Sequence, residues 1–217
     1  MKTIEKAIIS ALVLSILLTM TGFTGRCENI SQKIFRLHVL ANSDSAEDQA
    51  LKLKVRDKIL EYSEELFKEA QSREEAKNIA SKHIDEFKSV AEREIHKQGY
   101  NYPVTVEVTN MYFNTRHYNK VSMPAGNYDA LRVLIGSGQG KNWWCVMFPP
   151  MCLPVAEEQE ELEEVLDSSE MDIVCGAEEY EIRFKIVEWY EYAQYWVQTL
   201  FEENSFFVWI ADMLFND

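Results

Sequence analysis

One segment constrains this chain more than any other: between Ile34 and Leu66 the hydrophobic period changes once, from about two residues to about 3.6. Phe35, Leu37 and Val39 fall on one face of an extended run, and Arg36, His38 and Leu40 on the other. That is the alternation of a half-buried strand. The run ends in Asn42-Ser43-Asp44-Ser45, whose short polar side chains accept hydrogen bonds from the unpaired amides of a helix start. With Ser45 as the cap, Asp48 stands at the capping-box position and Glu47 adds negative charge to the positive end of the helix dipole. Leu51, Val55, Ile59, Tyr62 and Leu66 then make one helical stripe, with Lys52, Lys54, Arg56, Asp57 and Lys58 on the other sides.

The rest of the chain extends this plan. Ala76, Ile79, Ala80, Ile84, Phe87, Val90, Ala91 and Ile95 predict a second helix from Arg73 to Lys97, stopped at Gly99. The polar Gln71-Ser72 joint makes it an antiparallel neighbour of the first helix. Val104, Val106 and Val108 alternate with Thr105, Glu107 and Thr109 in a strand, and Asn114 to Asn127 reads as a long loop. Ala130 to Ile135 and Trp143 to Phe148 read as two strands, and the Gly-rich residues 136–142 between them signal a hairpin. The order β-α-α-β-β-β predicts an α+β domain over residues 30–155: a two-layer fold with a mostly antiparallel four-stranded sheet covered by two helices.

Beyond Pro149-Pro150 the composition shifts. Residues 157–181 hold 12 acidic residues and no basic one, and residues 156–179 are expected to be a solvated acidic linker. No alternating acidic loop with a central glycine is present there, so calcium is not expected. Residues 180–217 are crowded with aromatic side chains, among them Trp189, Tyr192, Trp196 and Trp209. They predict a helical tail that buries two sides or meets a partner or a membrane surface.

At the other end, Lys2 and Lys6 precede an uncharged run from Ala7 to Phe23, a basic region followed by an apolar one. Seventeen residues of helix span roughly 26 Å, slightly short of a bilayer core of about 30 Å. Residues 1–26 therefore fit both a cleaved signal peptide, with Gly22 and Thr24 at positions −3 and −1, and a retained membrane anchor. Arg26 in front of Cys27 argues against lipidation. The pattern predicts export, in either secreted or anchored form, with membrane association through residues 1–23 or the C-terminal tail. Without Cys27 an exported chain keeps Cys145, Cys152 and Cys175, an odd number that argues against a disulfide framework; Cys145 reads as a small buried hydrophobe, and any bridge is expected to join Cys152 and Cys175. The 36 Asp and Glu against 22 Lys and Arg leave a formal charge of −14, the wrong sign for a phosphate backbone. Nucleic acid is not an expected partner.

Few constellations offer chemistry. Gly136, Gly138 and Gly140 follow a strand, but a strand also follows them where an anion-cradling loop needs a helix N-terminus. His38, His83, His96 and His117 lack metal-ligand spacing, so neither a metal nor a cofactor is expected. Ser43, His38 and Asp44 supply the residue types of a hydrolase acting on cell wall or ester substrates, although adjacent Ser43 and Asp44 point in different directions. Trp143 and Trp144 face opposite sides of a strand. Either a covering helix buries both, or one is an exposed aromatic anchor of the kind that dominates interfaces.

Three stretches carry a resemblance: Phe35 to Asp57 (FRLHVLANSDSAEDQALKLKVRD), Pro124 to Gly136 (PAGNYDALRVLIG) and Gly140 to Pro150 (GKNWWCVMFPP). With the leader and the helices between them, residues 1 to 155 resemble the stage II sporulation protein R family. The resemblance implies a non-enzymatic signalling protein, exported from the forespore into the intermembrane space. There it would activate a membrane-embedded aspartic protease of the mother cell, which cleaves the precursor of sigma factor E. No catalytic residue and no cofactor come with the family. Asn42, Ser43 and Asp44 at the strand-to-helix turn, and Trp143 and Trp144, are the candidate partner-binding residues.

Overall fold

A computed structural model describes residues 2–118, 121–150, 162–176, 180, 182–189 and 192. Helix α1 (Lys2–Lys33) leads into strand β1 (Phe35–Leu40), followed by α2 (Ala46–Phe67), α3 (Arg73–Lys82) and α4 (Ile84–Lys97). Strands β2 (Val104–Phe113), β3 (Arg116–Tyr118), β4 (Val121–Met123), β5 (Gly126–Ile135) and β6 (Asn142–Phe148) come next, then helix α5 (Ser168–Cys175). The fold is α+β with a mostly antiparallel sheet. Among the described residues no helix is long and apolar enough to cross a membrane.

The main sheet has the order β2-β5-β1-β6, with β1 parallel to β5 and the β1–β6 and β2–β5 pairs antiparallel. The expected hairpin between the last two strands does not form, because β1 lies between them. Residues 136–141 instead arch over the end of β1, spanning about two inter-strand spacings, roughly 10 Å. Glycine spacing signals a turning chain and says nothing of what passes beneath it. The stretch read as a long loop is also structured: β3 and β4 form a separate two-stranded hairpin, and β5 already starts at Gly126. The single helix expected over Arg73–Lys97 is two, divided at His83, where ψ turns to 24° and the backbone N–H reaches the Ala80 carbonyl.

The sheet separates two cores. On one face Phe35, Leu37 and Val39 pack with Leu51, Val55 and Ile59 of α2 and Phe87, Ala91 and Ile95 of α4. The edge of the Phe87 ring meets Tyr62, centroids 5.1 Å apart. Asp129 ties α3 to this face through Arg73 (2.9 Å) and Lys77 (3.1 Å).

The other face is covered as well, contrary to the half-buried reading of β1: Arg36 is 0% and His38 3% exposed. The helix that includes the leader continues to Lys33, and Phe23, Cys27 and Ile30 on it, with Ile34 just beyond, line the second core. The residues read as a solvated acidic linker contribute Leu162, Leu166, Ile173 and Val174 to the same core. Asp167 starts α5 with a capping box to Glu170, and Glu170 pairs with Lys33 at 2.6 Å. Residues 182–189 are helical, with Phe184 and Val187 buried. Phe23 stacks on Tyr180 at 5.6 Å and meets Phe184 at 5.7 Å. Trp196, Trp209 and most of the predicted tail lie outside the described residues.

The cysteine expectation is overturned. Cys145 is disulfide-bonded and Cys175 is a free thiol, which excludes the Cys152–Cys175 pair. The partner of Cys145 lies outside the described residues.

Candidate functional site

The strand-to-helix turn is bracketed by the glycine-rich arch. Asp48 is buried and accepts hydrogen bonds from Asn42 Nδ2 (2.9 Å) and Ser43 Oγ (2.6 Å). Burial alone would raise the Asp48 pKa, but hydrogen bonds from Ser43, Asn42 and Tyr102 outweigh it and hold the carboxyl below its ordinary value. Ser45 caps α2 by accepting from the Asp48 amide at 3.1 Å, as the sequence predicts. The arch closes on this turn from above. Ser137 N donates to Asn42 Oδ1 (3.0 Å), Ser137 Oγ to the Asn42 carbonyl (2.6 Å) and Lys141 N to Asp44 Oδ1 (2.6 Å).

Two glycines make the approach feasible. At Gly136, where φ is +60°, an added Cβ would lie 2.3 Å from Asn42 Oδ1, and at Gly140 it would lie 2.2 Å from the Ser43 carbonyl oxygen. Buried Lys52 completes the bracket by donating to Gln49 Oε1 (2.7 Å) and the Lys141 carbonyl (2.8 Å). Asn42, Ser43 and Asp44 are thus committed to internal hydrogen bonds that join two loops.

The two tryptophans diverge. Trp143 is 36% exposed on the side of α2, with the Arg56 guanidinium 4.2 Å from its ring centroid. Trp144 turns to the second core, where it stacks on His38 at 3.7 Å and contacts Phe113 at 4.7 Å. No covering helix buries both: Trp143 is the exposed member of the pair and Trp144 the covered one. The bracket and Trp143 share one end of the sheet, because Leu40 pairs with Asn142 and Val39 with Trp143.

The hydrolase constellation does not assemble. Ser43 Oγ donates to Asp48, Asp44 accepts from Lys141, and His38 Nε2 lies 2.7 Å from Asn142 Oδ1. Burial, with Arg132, Arg116 and Arg36 nearby, outweighs the Asn142 hydrogen bond and lowers the His38 pKa to about 4. No group of three metal-binding side chains occurs among the described residues. A cleft of about 880 Å³ between the end of α2 and the end of β6 is lined by Phe67, Lys68, Phe148 and Glu164 among others, and its Ser63 hydroxyl donates to the Leu60 carbonyl at 2.9 Å.

A family model described as stage II sporulation protein R matches residues 31–158. Stage II sporulation protein R of Bacillus subtilis (strain 168) is 33% identical over 181 residues, covering 74% of this chain and 81% of that protein. The chain belongs to the stage II sporulation protein R family. No solved structure matches it. The stretch that defines stage II sporulation protein R here contains β1 to β6, the bracket and both tryptophans, whereas most of α1 and all of α5 lie outside it. Three parts of this arrangement escape a reading of the sequence: Asp48 as the hub of the turn, Arg56 under Trp143, and the close approach at Gly136 and Gly140. The glycine spacing was the available signal, and it reported a loop without its target.

Proposed function

We propose that this chain is an exported sporulation signal that activates a membrane-embedded aspartic protease of the mother cell, leading to cleavage of the precursor of sigma factor E. Family membership across residues 31–158 carries the reading. The basic and apolar start of the chain supports passage out of the forespore into the intermembrane space, as a secreted protein or one held by residues 1–23. Activation would work by differential affinity: the signal binds the active arrangement of the protease more tightly than the inactive one, since equal affinity for both shifts nothing.

Trp143 is the contact residue this reading favours. It is exposed, the Arg56 guanidinium lies 4.2 Å from its ring, and it stands beside the hydrogen-bonded bracket, contacts that reduce the side-chain freedom left to lose on binding. Asn42, Ser43, Asp44 and Trp144 serve the same surface indirectly, by holding it in shape.

The test combines the purified chain with membranes that contain the protease and the precursor. The wild-type chain should stimulate cleavage, and Trp143→Ala should reduce it by tenfold or more, the effect of losing about 1.4 kcal/mol at an interface hot spot, with an unchanged melting profile. Undiminished cleavage with Trp143→Ala removes Trp143 from the contact. No stimulation by the wild-type chain overturns the function itself.

A further inference from the structure

Seven buried side-chain nitrogen or oxygen atoms among the described residues have no hydrogen-bond partner, and six belong to one neighbourhood on the outer face of the sheet. They are Arg36 Nε and Nη1, His38 Nδ1, Thr115 Oγ1, Arg116 Nε and Arg132 Nε. Buried polar groups are rarely left unpaired in folded proteins, so such a concentration calls for a missing acceptor.

Arg36 sets the demand. The residue is 0% exposed, and among the described residues its guanidinium has one hydrogen-bond partner, the Tyr118 hydroxyl at 2.5 Å from Nη2. The rings of Phe113 and Tyr128 lie 4.2 and 4.8 Å from its central carbon. Aromatic faces offset part of the charge but supply no oxygen or nitrogen acceptor for Nε and Nη1. Lysine or histidine could shed a proton in such a place; arginine cannot. A buried charge of this kind needs a counter-charge. The surrounding charges have the wrong sign, because those acting on His38 are Arg132, Arg116 and Arg36, and those acting on Tyr118 are Arg36 and Arg116. The nearby carboxylates are engaged: Glu107 with Arg132 at 3.0 Å, and Glu188 with the Thr115 amide at 3.1 Å and Lys185 at 3.0 Å.

We propose that Arg36 and Arg116 form a site for one carboxylate group, held between the β3–β4 hairpin and the outer face of the sheet. The planar fork of arginine matches a carboxylate with two parallel hydrogen bonds, which supplies both acceptor and charge, whereas water supplies only the acceptor. Two sources offer that chemistry. One is a free carboxylate. The other is the chain itself: the Glu188 contact brings residues 182–189 to the edge of the site, and the sequence beyond them contains Glu191, Glu202, Glu203, Asp212 and Asp217. The site is independent of the protease-activating role and lies on the opposite sheet face from Trp143.

The experiment is thermal unfolding of the full chain with sodium acetate replacing sodium chloride at constant ionic strength. If the source is free, acetate raises the wild-type Tm by about 5 °C as the site saturates, and Arg36→Met does not respond. If the source is the chain, the wild type is insensitive. A variant with Glu191→Gln, Glu202→Gln, Glu203→Gln, Asp212→Asn and Asp217→Asn then melts lower in chloride and recovers in acetate. Should Arg36→Met fail to fold, Arg116→Gln at a half-buried position must move the acetate midpoint at least about tenfold higher, as expected for loss of a charge-assisted hydrogen bond, in whichever background responds. The proposal is overturned if neither the wild type nor the five-site variant distinguishes acetate from chloride, or if the arginine variants respond as strongly as their parent.

Discussion

The two faces of the sheet are built by different means. Against α2 and α4, burial is apolar and periodic: strand residues at every second position meet helix residues at every third or fourth. Against α1, α5 and the hairpin, the same strand presents Arg36 and His38, and their cover comes from chain segments far away in sequence. The first face derives its stability from area removed from water. The second combines that with an aromatic cage around a cation, so its stability depends on what the cage contains and on pH. A substitution should therefore act through packing volume on one face and through charge on the other.

The largest effect is expected on the apolar face. Phe87, in the first turn of α4, is 0% exposed within the first core, so Phe87→Ala should cost about 3–5 kcal/mol through lost transfer energy and the cavity left behind. Urea unfolding at neutral pH measures it. A cost below about 2 kcal/mol would mean that the helical layer collapses into the gap, and the contrast between a tightly packed face and a cage would weaken.

This face was also the one legible in the sequence. Phe35, Leu37 and Val39 alternate cleanly, the α2 stripe recurs at helical spacing, and Ser45 marks where one period gives way to the other. The opposite face hid behind the same rules. Arg36 and His38 alternate as solvent-facing residues should, because period reports a side and never what covers it. Their cover was disguised twice. Phe23 was absorbed into the apolar leader run, and Leu162, Leu166, Ile173 and Val174 were diluted among acidic residues. The candidate site was half legible for a related reason. The turn and the two tryptophans stood out by residue type, but which of them face outward depends on the arch crossing β1, a long-range arrangement that glycine spacing cannot specify.

At that crossing the faces meet, and Gly140→Ala tests how firmly they are joined. Its Cβ would stand 2.2 Å from the Ser43 backbone oxygen and 2.9 Å from the Ala41 side chain. Relief requires moving backbone, with a cost of roughly 2–3 kcal/mol. Denaturant unfolding reads the loss, and Trp143 fluorescence should change with it because the arch leads directly into β6. An unchanged stability would show that the arch is free to lift off the turn.

The cage predicts a pH dependence that the helical face does not share. His38 has a folded-state pKa of about 4 against an ordinary value of 6.5, so on acidification the unfolded chain takes up a proton that the folded chain refuses. Stability from this residue is complete above about pH 6.5 and falls as the pH drops toward 4. His38 is 3% exposed, so the shift is felt with little solvent screening and the loss is on the order of 2 kcal/mol. His38→Gln should flatten the profile between pH 6.5 and 4. A wild-type slope that survives the substitution would assign the dependence to other groups and leave the cage without its distinguishing property.

The smallest expected effect separates local from long-range control. Ser45 holds the start of α2 through one side-chain hydrogen bond to the Asp48 amide, and replacing such a cap with alanine typically costs about 1 kcal/mol. Ser45→Ala leaves Asn42, Ser43 and Asp48 in place, so the bracket keeps its hydrogen bonds while the helix loses its cap. Urea unfolding should register the loss, and the proposed protease activation, assayed well below the melting transition, should not change. If the cost is near zero, the start of α2 is set by the bracket, a long-range contact, and the helical face is less locally encoded than its periodicity suggests. If activation falls while the fold persists, the turn is itself part of the signalling surface, and Trp143 is not the only residue there that meets the partner.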